Sequence, residues 1–206
     1  MTMLVVCAVE AERAAILAGG HPAVDVITAG VGSAAAAATT ARALAGGTHQ
    51  AVLSAGIGGG FTDRVPVGGL ALADRSIAAD LGADSPDGFV SLDQLGFGVT
   101  ALPADPDLLK SLRVALPDAV AGPILTVTTV TGTADGVARL LARHPDAVAE
   151  AMEGFGVATA AAQVGVPFAE LRTISNPVGP RDRNAWRVAD ALETLTSAFA
   201  RLGRSR

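Results

Sequence analysis

The sequence predicts an α/β protein, one domain over residues 1–206, built as a three-layer α/β/α stack around a central mostly parallel mixed sheet. Three observations predict it. Short runs rich in Val and Ala alternate with stretches of helical spacing through the first third of the chain, and a β-α-β-α-β order argues for parallel strands with helices packed on their faces. Glu150-Ala-Met-Glu-Gly154 and Arg172-Thr-Ile-Ser-Asn-Pro-Val-Gly179 each read as the end of an apolar strand that delivers a polar side chain, Glu153 and Asn176, just before the chain turns. No repeat, linker or shift of composition divides the 206 residues.

The elements follow in order. Met3–Ala8 is an apolar run bounded by charge, and Glu10–Ala18 has helical spacing that ends at Gly19-Gly20. Val24–Thr28 is a second short strand. Ala29-Gly-Val-Gly-Ser33 then leads into an Ala-rich helix to about Ala45, and Ala51–Ala55 is a strand closed by the glycine-rich run Gly56–Gly60. Val67–Ala73 reads as a strand, whereas residues 80–98, rich in Gly, Asp, Ser and Pro, lack periodicity. A long loop of that kind in a compact domain is functional or mobile, and it is read as a lid or an oligomer contact. Asp105–Leu116 returns to helix with Pro106 in its first turn. Strands at Pro123–Val130 and Ala147–Met152 flank a helix at Asp135–Arg143. A helix at Gly154–Val164, a strand at Phe168–Ser175 stopped by Asn176-Pro177, and a closing amphipathic helix at Ala185–Leu202 complete the chain.

Composition narrows the function. Half the residues are hydrophobic, 17% are charged and the mean hydropathy is +0.44, which excludes disorder. No uncharged apolar run reaches the roughly 18 residues of a membrane-spanning helix. Met1-Thr-Met3 carries no basic residue and Glu10 and Glu12 interrupt the apolar run at once, unlike a signal peptide. With a lone Cys7, the expected location is the cytoplasm. Net charge is −5, basic residues are scattered apart from Arg181, Arg183 and Arg187, and there is no Tyr and one Trp. Neither a basic face nor a stacking surface for nucleic acid emerges. His21, His49 and His144 stand apart from any Cys, His or acid at ligand spacing, so no metal site is expected.

Two kinds of segment carry possible chemistry. Gly30-Val-Gly-Ser-Ala-Ala35 fits a loose G-x-G-x-x-A, yet the acid expected about 20 residues on is missing. No phosphate-loop motif occurs elsewhere, so dinucleotide binding is set aside. Gly58 and Gly59 serve a simpler need, because without a Cβ the backbone can lie close against a flat ligand. Among the acids, Glu10, Glu12 and Glu153 can converge at one edge of the sheet. Each alone reads as a helix-start acid. Glu153 is the exception, since a strand followed by a tight glycine turn is buried, and a buried unpaired carboxylate is costly unless something binds it.

Together, Glu10-Ala-Glu12, Ala29-Gly-Val-Gly32, Ala55-Gly-Ile-Gly-Gly59, Ala151-Met-Glu153 and Arg172-Thr-Ile-Ser175 resemble the successive motifs of the nucleoside phosphorylase and nucleosidase superfamily. Within it they resemble the methylthioadenosine/adenosylhomocysteine nucleosidase branch. The run from Ser175 to Arg183 with Trp186 is similar to the signature of the futalosine hydrolase family, whose place is menaquinone biosynthesis. The resemblance spans nearly the whole chain. It implies an oligomeric, cofactor-free enzyme acting on a nucleoside, in which Glu12 activates water, Met152 and Glu153 hold the ribose, and Gly58 and Gly59 lie beside sugar and base. It also places Val130 and Thr131 among the substrate-binding residues.

Asn176 stands where adenine-specific relatives place an Asp. An amide offers donor and acceptor without titrating, which suits a 6-oxopurine such as hypoxanthine. The acids after the first strand repel phosphate and no Arg lies between Arg42 and Arg64, so water is the expected nucleophile. Futalosine carries an aryl carboxylate beyond its ribose, for which Arg181, Arg183 and Arg64 are the candidate partners. Two other readings stay open: a methylthioadenosine or adenosylhomocysteine nucleosidase, against which Asn176 argues, and a non-catalytic ligand-binding module.

Overall fold

The computed structural model describes residues 2–204. Its elements are β1 (Met3–Cys7), α1 (Glu10–Ala18), β2 (Val24–Thr28), α2 (Ser33–Leu44), β3 (Ala51–Gly60), β4 (Leu70–Ala78), β5 (Gly82–Ser85), β6 (Gly88–Ser91) and β7 (Ala101–Pro103). There follow α3 (Pro106–Ala115), β8 (Val120–Thr126), α4 (Ala134–Arg143), β9 (Ala149–Ala151), α5 (Gly154–Val164), β10 (Phe168–Pro177), a 3-10 turn (Arg183–Ala185) and α6 (Val188–Leu202). The main sheet runs β10-β4-β8-β9-β3-β1-β2, with β7 on β4, and β10 also pairs with β3. That last pairing closes β3, β10, β4, β8 and β9 into a ring, from which β1 and β2 extend as an open wing. The α/β class and the mixed, mostly parallel sheet are as expected.

Within the wing, β1 is apolar throughout, and its packing shows why. Met3, Val5 and Cys7 of β1 face Ile16, Leu112, Leu195 and Phe199 of α1, α3 and α6, while Leu4 and Val6 face Ala36, Val157 and Ala161 of α2 and α5. A strand covered on both faces leaves no solvent side for polar residues. Inside the ring the fill is small: Ala71, Ala73, Ala149 and Ala151 pack with Ile124 and Ile174. Helix starts are set locally. Asp105 caps α3 by accepting from Asp107 N–H at 3.1 Å and Leu108 N–H at 2.9 Å, and Thr133 caps α4 through Gly136 N–H at 3.0 Å.

Four departures from expectation matter. The glycine-rich run does not close β3 but forms its second half, paired with β10 through Gly60. The strand expected at Val67–Ala73 starts later and runs on to Ala78, and the one expected at Pro123–Val130 lies at Val120–Thr126. Residues 82–91, expected to lack regular structure, form the β5–β6 hairpin, and Phe89 on it lies 4.3 Å under the Arg143 guanidinium. Finally, the last strand is not stopped at Asn176-Pro177 but runs through both residues as β10, and β3 lies between it and β9.

Candidate active site

The carboxyl ends of β1, β3 and β10 open into one cavity of about 250 Å³, just under the ~300–1,000 Å³ common for small-molecule sites. Glu12, Gly58, Gly59, Val130, Thr131, Met152, Glu153, Asn176 and Arg181 all border it. Residues far apart in sequence thus share one space, which is where ligands bind in open α/β sheets.

Glu12 is held before any ligand arrives. It sits at the third position of α1, where its Oε2 accepts from the backbone N–H of Ala8 at 2.8 Å and Val9 at 3.2 Å. Its Oε1 accepts from Ile57 N–H at 2.8 Å. The first contacts tie the carboxylate to its own helix start and the last ties it to the glycine half of β3. Glycine is required there: a Cβ on Gly56 would lie 2.4 Å from Glu12 Oε1. Glu10, expected to join this cluster, faces solvent instead, 3.1 Å from Arg13 and within reach of the Thr28 hydroxyl at 3.3 Å. Residues two apart on a helix point to different sides.

Glu153 is buried but not unpaired, which corrects the expectation of an unsatisfied carboxylate. It follows β9 at the start of α5 and accepts from Gly32 N–H at 3.1 Å and Met152 N–H at 3.3 Å. Gly32 can aim its N–H this way because its φ of 98° lies in the region open to glycine. The third partner is Arg172 of β10, whose Nη1 donates to Glu153 Oε2 at 3.2 Å.

Arg172 is the residue that sequence reasoning underrated. It is fully buried below the cavity floor, with Nε donating to Glu170 at 3.0 Å and Nη2 to Ser54 Oγ at 2.9 Å. Burial works against its charge, but the carboxylates of Glu170 and Glu153 hold it above the ordinary guanidinium range. Burial drives the Glu170 carboxyl the other way, up from its usual range, more strongly than Arg172 and Ser76 bring it down. The acids around the one cation favour its charge, while complete burial disfavours the charged form of Glu170. A signal was present: Glu170 and Arg172 are the charged residues of a strand that is otherwise uncharged and mostly buried, and such residues are fully buried only when paired.

Asn176 owes its aim to a bulge. The register of β10 against β3 shifts between Ile174 and Asn176, and a bulge of this kind redirects the side chain beside it. Its Oδ1 accepts from Ser175 Oγ at 2.8 Å, and its Nδ2 donates to the Pro177 carbonyl at 2.9 Å. Across Gly59, Glu150 completes the wall. Thr131 N–H donates to its Oε1 at 2.8 Å and the Thr131 hydroxyl to its Oε2, and burial raises its carboxyl against the opposing pull of Thr131.

The three arginines separate. Arg181 borders the cavity with its guanidinium 5.3 Å over the Trp186 ring. Arg183 sits exposed in the 3-10 turn and does not border the cavity. Arg64 donates to the Pro145 carbonyl, away from the site. Among the described residues lining the cavity, Arg181 is the one basic side chain.

Comparison with known proteins gives the family and the fold. A family model described as the phosphorylase superfamily matches residues 8–205. A futalosine hydrolase of Streptomyces coelicolor is 55% identical over 86% of this chain and 77% of its own length, and one of Acidothermus cellulolyticus is 47% identical over 97% and 89%. In fold, a 5'-methylthioadenosine/S-adenosylhomocysteine nucleosidase from Neisseria meningitidis, solved in complex with methylthio-immucillin-A, superposes with a TM-score of 0.86 at 18% identity, covering 100% of this chain and 99% of that one. The chain therefore belongs to the phosphorylase superfamily and, within it, to the futalosine hydrolases, nucleoside N-glycosidases by family.

Proposed function

We propose that this cavity hydrolyses the N-glycosidic bond of futalosine, giving hypoxanthine and dehypoxanthine futalosine in menaquinone biosynthesis. The observation that carries the reading is the meeting of Glu12, Glu153 and Asn176 around one cavity, joined to the identity with futalosine hydrolases. Water bound at the free side of the Glu12 carboxylate attacks C1′ as the C1′–N9 bond breaks, through an oxocarbenium-like transition state. Glu12 takes the proton of the water. The bonding pair leaves with the purine, which is then protonated from solvent, and Asn176 donates a hydrogen bond to the charge gathering on the base.

Glu153, fixed by Gly32, Met152 and Arg172, accepts from the ribose hydroxyls while Met152 packs below the sugar. Gly58 and Gly59 give a floor without side chains, and Val130 and Thr131 border the base. Water rather than phosphate is the nucleophile, because among the described residues no basic side chain borders the Glu12 end of the cavity to hold an anion. Arg181 receives the aryl carboxylate. Exposed apolar residues on and beside the 80–98 segment, Leu81, Phe97 and Val99, support a homo-oligomer contact there, and the lone Cys7 supports a cytoplasmic setting.

The test is incubation of the purified chain with futalosine and chromatography of the free base. Hypoxanthine is expected, and Glu12→Gln should lower turnover by about 10²- to 10⁴-fold while leaving the melting temperature near that of the wild type. Release of adenine from methylthioadenosine in preference to hypoxanthine from futalosine would reject this reading, as would normal turnover by Glu12→Gln.

A further inference from the structure

Glu170 is fully buried on β10, and the hydrolytic step described above does not use it. It does not border the cavity. Standing two residues before Arg172, it lies on the same face of the strand. Both of its oxygens are engaged: Oε1 accepts from Arg172 Nε at 3.0 Å, and Oε2 accepts from the Ser76 hydroxyl. Ser76 comes from β4, whose register against β8 shifts between Ala73 and Ser76, a break of the kind that re-aims side chains. The Glu170 carboxyl also lies against the first residue of α5, where a Cβ on Gly154 would overlap both oxygens. Glu153, at the N-terminal cap of that helix, is thus joined to Glu170 by two routes, through Arg172 and through the helix start.

Stability alone gives little reason for such a group. A buried ion pair recovers its desolvation cost only in part, and well-packed apolar residues often do as well. What the pair supplies is direction. A guanidinium is a planar fork, and that of Arg172 is held at two corners, Nε by Glu170 and Nη2 by Ser54 Oγ at 2.9 Å. With those two fixed the plane cannot turn, and Nη1 is left aimed at Glu153 Oε2, 3.2 Å away. Without Glu170 the plane can pivot about Ser54. Glu153 Oε2 then keeps only the 3.3 Å contact with Met152 N–H.

We propose that Glu170, set by Ser76, is a positioning residue for the ribose: it holds the Arg172 guanidinium in the plane that fixes the Glu153 carboxylate toward the sugar hydroxyls. The proposal rests on the reading above that Glu153 accepts from those hydroxyls, and it adds two side chains that touch no substrate.

Turnover of futalosine and of 2′-deoxyfutalosine by the full chain tests it. Removing a hydroxyl changes the intrinsic lability of the glycosidic bond, but that change is common to every variant. The ratio of the two kcat/KM values, futalosine over its 2′-deoxy analogue, therefore isolates the contact with Glu153 when variants are compared. From wild type to Glu170→Leu this ratio should fall about tenfold to a hundredfold, the effect of losing a hydrogen bond to a charged group. Ser76→Ala, which loosens Glu170 without removing it, should lower the ratio about threefold. A residue that only holds the fold together would slow both substrates alike. An unchanged ratio in Glu170→Leu thus overturns the proposal, while futalosine hydrolysis by the wild type leaves the catalytic reading standing. If Glu170→Leu does not fold, an unchanged ratio in Ser76→Ala overturns it instead. If the wild type does not cleave futalosine, the hydrolase reading falls and crystal structures of the same variants decide the positioning. Arg172 Nη1 out of hydrogen-bond reach of Glu153 Oε2 then supports it, and an unmoved guanidinium removes it.

Discussion

Ile57 N–H donates to Glu12 Oε1 at 2.8 Å, so the proposed general base on α1 is fixed to the glycine half of β3 as well as to its own helix. That contact makes Gly56 a position where one methyl group should act on chemistry. A Cβ there would lie 2.4 Å from Glu12 Oε1 and 3.0 Å from Arg172 Nη1. Gly56→Ala is expected to displace the carboxylate, lowering kcat by roughly a hundredfold, the cost of a misplacement near 1 Å. Overpacking should cost about 1–3 kcal/mol of stability. Steady-state kinetics with a denaturant titration measures both, and an unchanged kcat would show that the Glu12 position tolerates movement.

The Arg172 cluster gives a second expectation, this time of stability. Arg172→Met removes the cation from between Glu153 and Glu170, and breaking a buried pair in this way costs about 3–5 kcal/mol. Arg172→Lys should not restore it. The guanidinium reaches Glu170 through Nε, Glu153 through Nη1 and Ser54 through Nη2, a spread that one ammonium cannot match. Equilibrium unfolding in urea reads the loss; a Lys variant as stable as the wild type would contradict the argument.

Arg181 carries the expectation for substrate choice. Its guanidinium lies over Trp186, and Gly132 stands close beside its stem, where a Cβ would be 3.3 Å from Arg181 Cγ. Arg181→Ala should lower kcat/KM for futalosine by about tenfold to a hundredfold and leave inosine, which lacks the aryl carboxylate, unaffected. Arg183→Ala should change neither. Equal losses on both substrates would remove Arg181 from the carboxylate site.

How far the sequence could be read differs from element to element, for physical reasons. α1, β2 and α5 begin and end where expected, because local apolar spacing and glycine stops determine them. β3 was misjudged because glycine is the usual residue of turns. Its glycines are strand residues whose missing side chains make room for Glu12 and the Glu150 carbonyl, both distant in sequence, and for the Val65 carbonyl at the following turn. Glu153 was rightly read as buried, but its partner Arg172 lies across the ring on β10, a pairing no local pattern contains. Glu10 and Glu12 looked alike in sequence. Only the rotation of the helix sends one to solvent and the other into the cavity.

Cys7 offers a test of the same core from its protonation. The thiol is buried in β1, and burial, followed by the nearby Glu12 carboxylate, pushes its pKa up to about 11 from an ordinary value of 9.0. A folded-state pKa above the unfolded one stabilises the protein fully below the unfolded value and loses that contribution as pH rises through the folded value. The window is therefore about pH 9 to 11, and the melting temperature should fall across it, with a smaller fall in Cys7→Val, which lacks the thiol. At pH 8 the folded chain should resist an aromatic disulfide reagent and react completely in denaturant, so that labelling reports opening of the sheet. Reaction of the folded protein at the rate of a free thiol would mean that β1 is accessible, against the packing of Cys7 between the sheet and α1.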